Sequence, residues 1–408
     1  MLTALEEGVR GGVWFSLMDK VYRLPNLQAA FARVKANGGA AGCDHQTLAM
    51  YEADLDANLA DLSEQLRCGA YRPQKIRRVM IPKPGSRERR PLGIPTVRDR
   101  VVQTALRHVM EPIFEREFAE HSYGFRPGRG CKDALRQVDA LLKAGYTYVV
   151  DADLKGYFDT IPHRPLLGRV RERIADGRVL TLVESFLTQG VMEGMKTWTP
   201  TSGSPQGAVI SPLLSNAYLN PLDHLMAAEG YEMVRYADDF VILCRSAEAA
   251  QEALHRVQQW TAEAGLTLHP EKTRIVDANT EGFDFLGYHF ERGKRWPRDK
   301  SLKRFKEAVR SKTRRTAGHQ LEVIIARVNR TTRGWFEYFK HSSYPKRFQD
   351  LDGWIRRRLR RILLKRHKRP RHSGLGTAHQ RWSNAFFEAH GFFSMAAAHK
   401  RLRRSVTR

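Results

Sequence analysis

Long apolar runs are missing from this chain. None approaches the ~18–20 residues that a membrane-spanning helix needs, and the opening MLTALEEGVRGGVWFSLMDK has no uninterrupted hydrophobic stretch behind a basic start. The expectation is a cytoplasmic protein. Cysteine is scarce: Cys43, Cys68, Cys131 and Cys244 form no CxxC pair, which excludes a zinc ribbon and a disulfide framework. Internal repeats are absent as well. What is present, 408 residues with 42% hydrophobic and 28% charged side chains, is the profile of a globular protein. At ~100–200 residues per domain, the length calls for several packed units.

Acidic residues are also scarce, but only at one end. From Glu291 to Arg408 there are 34 Lys and Arg against 8 Asp and Glu, a net of +26, whereas residues 1–290 hold 35 against 36. The whole excess of +25 therefore belongs to the last part of the chain. A basic region appended to a neutral body reads as a polyanion-binding module, because each neutralised phosphate releases condensed counterions. Trp296, Trp335, Phe336, Tyr338, Phe339, Tyr344 and Trp354 are interleaved with the charges, and their rings are candidates to stack on bases.

Periodicity predicts a helix, loop and helix over residues 26–66, around the turn-rich Asn37–Gly42. A strand at Ile76–Pro82 has its partner at Arg90–Ile94, with the turn beginning Lys83-Pro84-Gly85-Ser86 between them. Helices are expected at Val101–Phe118, Pro165–Thr188 and Ala247–Ala264, a β-rich run at Tyr146–Ala152, and a strand pair at Leu266–Leu268 and Ile275–Val276. Two apolar runs, Tyr231–Tyr236 and Phe240–Cys244, meet at Ala237-Asp238-Asp239, which predicts a β-hairpin with both acids at its tip. In the basic part, Trp354–Lys365 places Ile355, Leu359, Ile362 and Leu363 on one stripe. Arg356, Arg357, Arg358, Arg360 and Arg361 lie off that stripe, and Arg356, Arg357 and Arg360 are the expected nucleic-acid contacts.

Three acids stand at ends of apolar strands: Asp153, after Tyr148-Val149-Val150-Asp151-Ala152, and the pair Asp238-Asp239. Carboxylates converging from two strands can hold two Mg²⁺ ions ~3.5–4 Å apart, one activating an attacking hydroxyl and the other stabilising a leaving phosphate oxygen. Beside a polyanion-binding region, this points to phosphoryl transfer on a nucleic acid. Polymerase and nuclease both remain open on these residues alone. Between the acids, Gly203, Pro205 and Gly207 of GSPQGAVISPLLSN make a tight loop whose backbone can approach a flat ligand.

The order of motifs resembles the reverse transcriptases encoded by bacterial group II introns and their relatives. The resemblance rests on SYGFRPGRGCKDAL (Ser122–Leu135), DADLKGYFD (Asp151–Asp159), the GSPQGAVISPLLSN block and Tyr236-Ala237-Asp238-Asp239. VKANGGAAGCD (Val34–Asp44) resembles the N-terminal block of that family and IPKPGSRERRPLGIP (Ile81–Pro95) its fingers block. GLTLHPEKT (Gly265–Thr273) and FDFLGYHF (Phe283–Phe290) resemble later palm blocks, and the Arg333–Arg361 stretch resembles the thumb or maturase-specific domain. The resemblance implies an α+β right-hand polymerase, with fingers, a palm built on an antiparallel sheet, and an α-helical thumb and maturase domain. The expected boundaries are 1–122 for an N-terminal extension and fingers, 123–290 for the palm with remaining fingers elements, 291–370 for the thumb, and 371–408 for a short basic tail.

The roles this implies follow position by position. Asp153, Asp238 and Asp239 are catalytic and hold two Mg²⁺ ions, for which Mn²⁺ can substitute, with Asp239 supporting Asp238. Asp151 is structural. Lys83 and Arg90 close on the triphosphate, in a loop one residue longer than in some relatives, so that Arg87 and Arg89 compete for the role. Tyr157 is the ring under the incoming sugar, with Phe158 as second candidate; Gln206 lies against the nucleotide and template base; Lys272 stands near the leaving pyrophosphate. Arg126 contacts template or forms a structural salt bridge. Ala208 stands where many relatives have Gly, and Tyr157 where Phe is common. No paired cysteines follow Arg371, so the endonuclease domain of many relatives is not expected, while Trp382, Phe386, Phe387, Phe392 and Phe393 of the tail are expected to pack on the thumb.

The activity implied is RNA-directed DNA polymerisation from dNTPs on a primer 3′-hydroxyl, joined to binding of group II intron RNA in splicing and mobility. Its partners are an RNA template, a DNA primer or target and dNTPs, in the bacterial cytoplasm or nucleoid. Two alternatives stand beside it: a free-standing relative in repair or defence, and a non-enzymatic RNA-binding splicing factor, against which the three intact acids argue.

Overall fold

The computed structural model describes residues 12–82, 89–367 and 375–406. Its contacts divide the chain into two compact units, Met1–Asp277 and Ala278–Arg408. None of the described helices is long and apolar enough to cross a membrane.

The first unit carries two four-stranded sheets. In one, β1 (Ile76–Pro82) pairs antiparallel with β2 (Arg89–Ile94), opposing Ile81 to Arg90. On its other side β1 runs parallel to β4 (Val191–Glu193), which continues into β5 (Lys196–Trp198). The other sheet is antiparallel throughout, with β3 (Tyr148–Asp153), β6 (Glu232–Tyr236), β7 (Asp239–Cys244) and β8 (Arg274–Asp277) in the order β6-β7-β3-β8. Alternation sends Val150 and Ala152 of β3, with Phe240, Ile242 and Cys244 of β7, into the main hydrophobic core. Asp151, Asp153 and Asp239 belong to the opposite face.

The expected helix and loop at the N-terminal end is present as Leu24–Asn37, Leu48–Ala53 and Leu55–Cys68. The helix expected over Pro165–Thr188 is two helices, His163–Arg171 and Gly177–Leu187. Asp176 causes the break, since its carboxylate accepts from Arg178 and Val179 N–H and caps the second helix, a local bond that competes with continued helix. Residues 266–268 do not form a paired strand; Leu268 makes one isolated bridge to Leu154, and β8 takes the place beside β3.

The FDFLGYHF segment, expected with the palm, lies in the second unit. There β9 (Phe283–Phe285), β10 (Tyr288–Glu291) and β11 (Lys294–Pro297) form their own sheet. Tyr288 of β10 packs on Phe339, with ring centroids 4.9 Å apart, and donates its hydroxyl to Tyr338 O. The helices Asp299–Lys312, Leu321–Phe339 and Lys346–Arg366 enclose a second core. Trp382, Phe387 and Phe392 of the tail are buried in it, and Phe386 and Phe393 pack against it. Most of the interleaved aromatics are thereby spent on structure: Phe336 and Phe339 are buried, Trp335 and Trp354 pack on the same core, and Tyr338 donates to Leu286 O. Trp296 and Tyr344 pack edge to face, with ring centroids 5.1 Å apart, and Tyr344 keeps 37% exposure.

Candidate active site

The acids gather where two strands of the antiparallel sheet end. Asp153, the last residue of β3, lies in register with Asp239, the first residue of β7. The β6–β7 connection is tighter than the three-residue tip expected: Tyr236 pairs with Asp239, leaving Ala237 and Asp238 as the loop. Ala237 carries φ +61°, the left-handed conformation such a two-residue hairpin demands. Two features hold this turn. A Cβ at Gly124 would stand 2.2 Å from Ala237 N, so only glycine lets the preceding chain pass. Beneath it, fully buried Arg235 donates Nη1 to Ala237 O (2.9 Å) and Asn216 Oδ1 (3.0 Å), and its Nε to Asp223 Oδ1 (2.7 Å). This positioning trio of Arg235, Asp223 and Asn216 escaped the reading of the sequence. Its one signal was an arginine inside the apolar run Met233-Val234-Arg235-Tyr236, which is costly to bury unless paired.

Burial pushes the Asp238 carboxyl above its ordinary range; its own backbone N–H pulls it back, the charge of Asp153 raises it further, and Arg90 and Arg235 oppose. Asp153 in turn holds Lys272, with Nζ 2.5 Å from Oδ2. Asp151 lies 3.8 Å from Arg274 Nε, across the β3–β8 pair. Among the described residues no three His, Cys, Asp or Glu side chains are arranged to hold a metal ion by themselves. The donor set fits Mg²⁺ in the other manner open to it, one or two carboxylates completed by water and substrate phosphate. The ammonium on Asp153 already stands where a cation is favoured.

The loop around Gly203–Gly207 packs against β2 and, through Ser204 N, on the carbonyl of Phe158 (2.7 Å). Gly93 N donates to Gln206 O (2.7 Å), and a Cβ on Gly207 would lie 2.4 Å from Gly93 O. The Arg90 guanidinium donates to Gln206 Oε1 (3.2 Å), joining two expected substrate contacts. A cleft of about 310 Å³ opens here, lined among others by Arg78, Gly93, Phe158, Trp198, Pro205 and Gln206. Lys83, and Arg87 with it, lies outside the described residues.

Three expectations are corrected. Tyr157 is 1% exposed, within the main core, and donates its hydroxyl to Ser215 O at 2.8 Å. It has no face for a sugar; the neighbouring ring, Phe158, is the one lining the cleft. Arg126, at 3% side-chain exposure, is committed to Glu115 through Nε and Nη2 and to the Ala119 and Ser122 carbonyls through Nη1, so the structural salt bridge holds and the template contact does not. Arg360 is 1% exposed and donates to Trp382 O (2.8 Å) and Asn384 Oδ1 (3.2 Å), joining the long helix to the tail. Arg357 is exposed, and Arg356 is half-buried with its guanidinium 5.7 Å from the Phe392 ring.

The positive surface lies where this helix meets the end of the helix Asp299–Lys312. Arg358 is flanked by Arg310, Arg361 and Arg315; burial and then these like charges hold its guanidinium below the usual range. The guanidinium groups of Arg310 and Arg358 both lie over the Trp354 ring, 5.8 and 5.4 Å from its centroid. Arg358 itself donates Nε to Thr313 Oγ1 (2.6 Å) and Nη2 to Thr313 O (3.2 Å), while Arg310, Arg315 and Arg361 are exposed.

Residues 81–290 match the family model described as reverse transcriptase (RNA-dependent DNA polymerase), and residues 302–382 match the group II intron, maturase-specific domain. Protein YkfC of Escherichia coli K12 is 36% identical over 310 residues, 66% of this chain and 81% of YkfC. Group II intron-encoded protein LtrA of Lactococcus lactis subsp. cremoris is 39% identical over 168 residues, 41% of this chain and 28% of LtrA, so that match takes in under a third of LtrA. Among solved structures, a chain of a partial Cas6-RT-Cas1–Cas2 complex aligns over 61% of this chain and 41% of its own, at 26% identity and a TM-score of 0.39.

Proposed function

Because the chain belongs to the reverse transcriptases, the RNA-dependent DNA polymerases, and carries a group II intron maturase-specific domain, we propose that it copies RNA into DNA at the Asp153–Asp238 site and binds group II intron RNA through its second unit. The observation that carries the first part is the register of Asp153 against Asp239, which brings the three acids to one end of the antiparallel sheet. Bound Mg²⁺ supplies charge neutralisation at the transferred phosphate and a lowered pKa for the attacking primer 3′-hydroxyl. In this reading Asp153 and Asp238 hold the metal, and Asp239 stands beside them. Arg90, with Lys83, offsets charge on the triphosphate. Phe158 lies under the sugar and excludes a 2′-hydroxyl by size, while Gln206, held against β2, meets the nucleotide and template base. The fingers reading takes in β1, β2, β4 and β5, the palm reading β3 and β6–β8, and the thumb and maturase reading the second unit.

For RNA, the supporting observation is the convergence of Arg310, Arg315, Arg358 and Arg361 with no carboxylate among them, an arrangement that a phosphate chain relieves. The test of the enzymatic reading is extension of a DNA primer on an RNA template. Wild type with Mg²⁺ and dNTPs is expected to give DNA product. Asp153→Asn and Asp238→Asn are expected to give none while retaining RNA affinity. Equal loss of RNA binding in those variants would overturn the assignment of the two acids to metal.

A further inference from the structure

Lys272 and Asp153 are 119 residues apart, yet the backbone around them is built as one device. Lys155 N donates to Thr267 O (2.8 Å), Leu154 bridges Leu268, and His269 N donates to the carbonyl of Asp153 itself (2.7 Å). His269 O then accepts from Lys272 N (3.2 Å) and Thr273 N (3.0 Å). The turn thus hangs from the main chain of Asp153, and its lysine returns to the carboxylate of the same residue. Lys272 is 54% exposed and Asp153 33%, so this is not a buried structural pair. A pair so exposed contributes little to folding and is readily exchanged for another cation. The neighbouring pair differs: Asp151 and Arg274 are register partners within regular β-sheet, where their cation is part of a strand.

We propose that Lys272 is a placeholder for the metal: its ammonium occupies Asp153 while the site is empty and is expelled when a divalent cation takes the carboxylate. The inference rests on the reading of Asp153 as a metal ligand. The physical reason for such a device is the mutual repulsion of Asp153 and Asp238, which the Asp153–Asp239 register and the Ala237-Asp238 turn bring to one end of the sheet. An empty pair of this kind is stabilised by a tethered positive charge. The same charge weakens metal binding, because every ion that enters must displace it, and metal entry sets the ammonium free on a turn anchored beside the reaction. Lys272 is on this account a positioning residue whose place reports whether the metal site is filled.

The test is Mn²⁺ binding to the full chain without nucleic acid or dNTP, read from the free-ion signal in electron paramagnetic resonance. Lys272→Gln removes the competing charge and is expected to tighten Mn²⁺ binding, by up to about fivefold for a pair of this exposure. Lys272→Arg is expected to remain near wild type. Asp153→Asn is expected to weaken Mn²⁺ binding, and Lys272→Gln added to it to change nothing further. Unchanged or weaker Mn²⁺ binding in Lys272→Gln, with Asp153→Asn still damaging, would overturn the placeholder alone. Undiminished binding in Asp153→Asn would overturn the metal-ligand reading on which the placeholder rests.

Discussion

Tyr157 and Phe158 are adjacent aromatics on a short helical turn, and their environments are opposite. One is sealed in the core with its hydroxyl on Ser215 O, and the other lines the open cleft. Replacing Phe158 with valine is expected to relax discrimination against ribonucleotides by roughly 10–100-fold, measured as the ratio of dNTP to rNTP incorporation efficiency. Tyr157→Phe is expected to leave that ratio alone and to cost about 1 kcal/mol of stability through the lost buried hydrogen bond, read by denaturant unfolding. If the ratio moved with Tyr157 instead, the sugar contact would belong there. The same contrast separates Asp238, raised by burial and by Asp153, from Asp151, whose neighbour Arg274 belongs to the adjacent strand.

At the scale of elements, the site depends on turns more than on strands. Gly124→Ala would drive a methyl group into Ala237 N, and the turn carrying Asp238 would have to move. A displacement of this kind near ~1 Å is expected to lower primer extension roughly 100-fold while far-UV dichroism stays native; retained activity would show that the turn is not positioned by this contact. Asp176 supports a different junction. It caps the helix Gly177–Leu187 and also accepts from Leu17 and Met18 N–H at 2.7 and 2.9 Å, tying the N-terminal segment to that helix. Burial pushes its carboxyl up, but the four backbone N–H groups outweigh this and hold it below its ordinary value. A depressed carboxyl stabilises the fold above its unfolded pKa and loses that contribution as pH falls through its folded pKa. Asp176→Ala is therefore expected to cost about 1–2 kcal/mol near neutral pH, with a smaller difference from wild type below about pH 4. A constant difference across that range, measured by urea unfolding, would contradict the carboxylate's role.

For the whole molecule, the distribution of charge matters more than its total. The excess of +25 lies beyond residue 290, but only some of those cations face outward without partners. Arg360 is interior, and Arg366 donates to the Ala317 carbonyl at 3.1 Å. Changing the exposed Arg310, Arg315 and Arg361 together to Gln is expected to weaken RNA binding and flatten its dependence on log salt by roughly 2–3 units. Arg360→Met is expected to leave the slope unchanged and lower stability, because it strips Trp382 O and Asn384 of their donor. The reverse outcome, a flattened slope for Arg360→Met only, would return RNA binding to the inner face of the helix.

Much of the chemistry was legible in the chain because it is local. A hairpin between apolar runs, a strand ending in Asp153 and a tight loop at Gly203–Gly207 each depend on residues close in sequence, and the structure forms all three. The charge boundary was equally plain, being a matter of composition. Tertiary structure alone decided which of two adjacent rings meets the cleft, that Arg126 and Arg360 point inward, and that Lys272 reaches Asp153. Such choices rest on the partner a side chain finds across the fold. A carbonyl oxygen of residue 382, or a carboxylate 119 residues away, leaves no trace in the spacing around the residue that binds it.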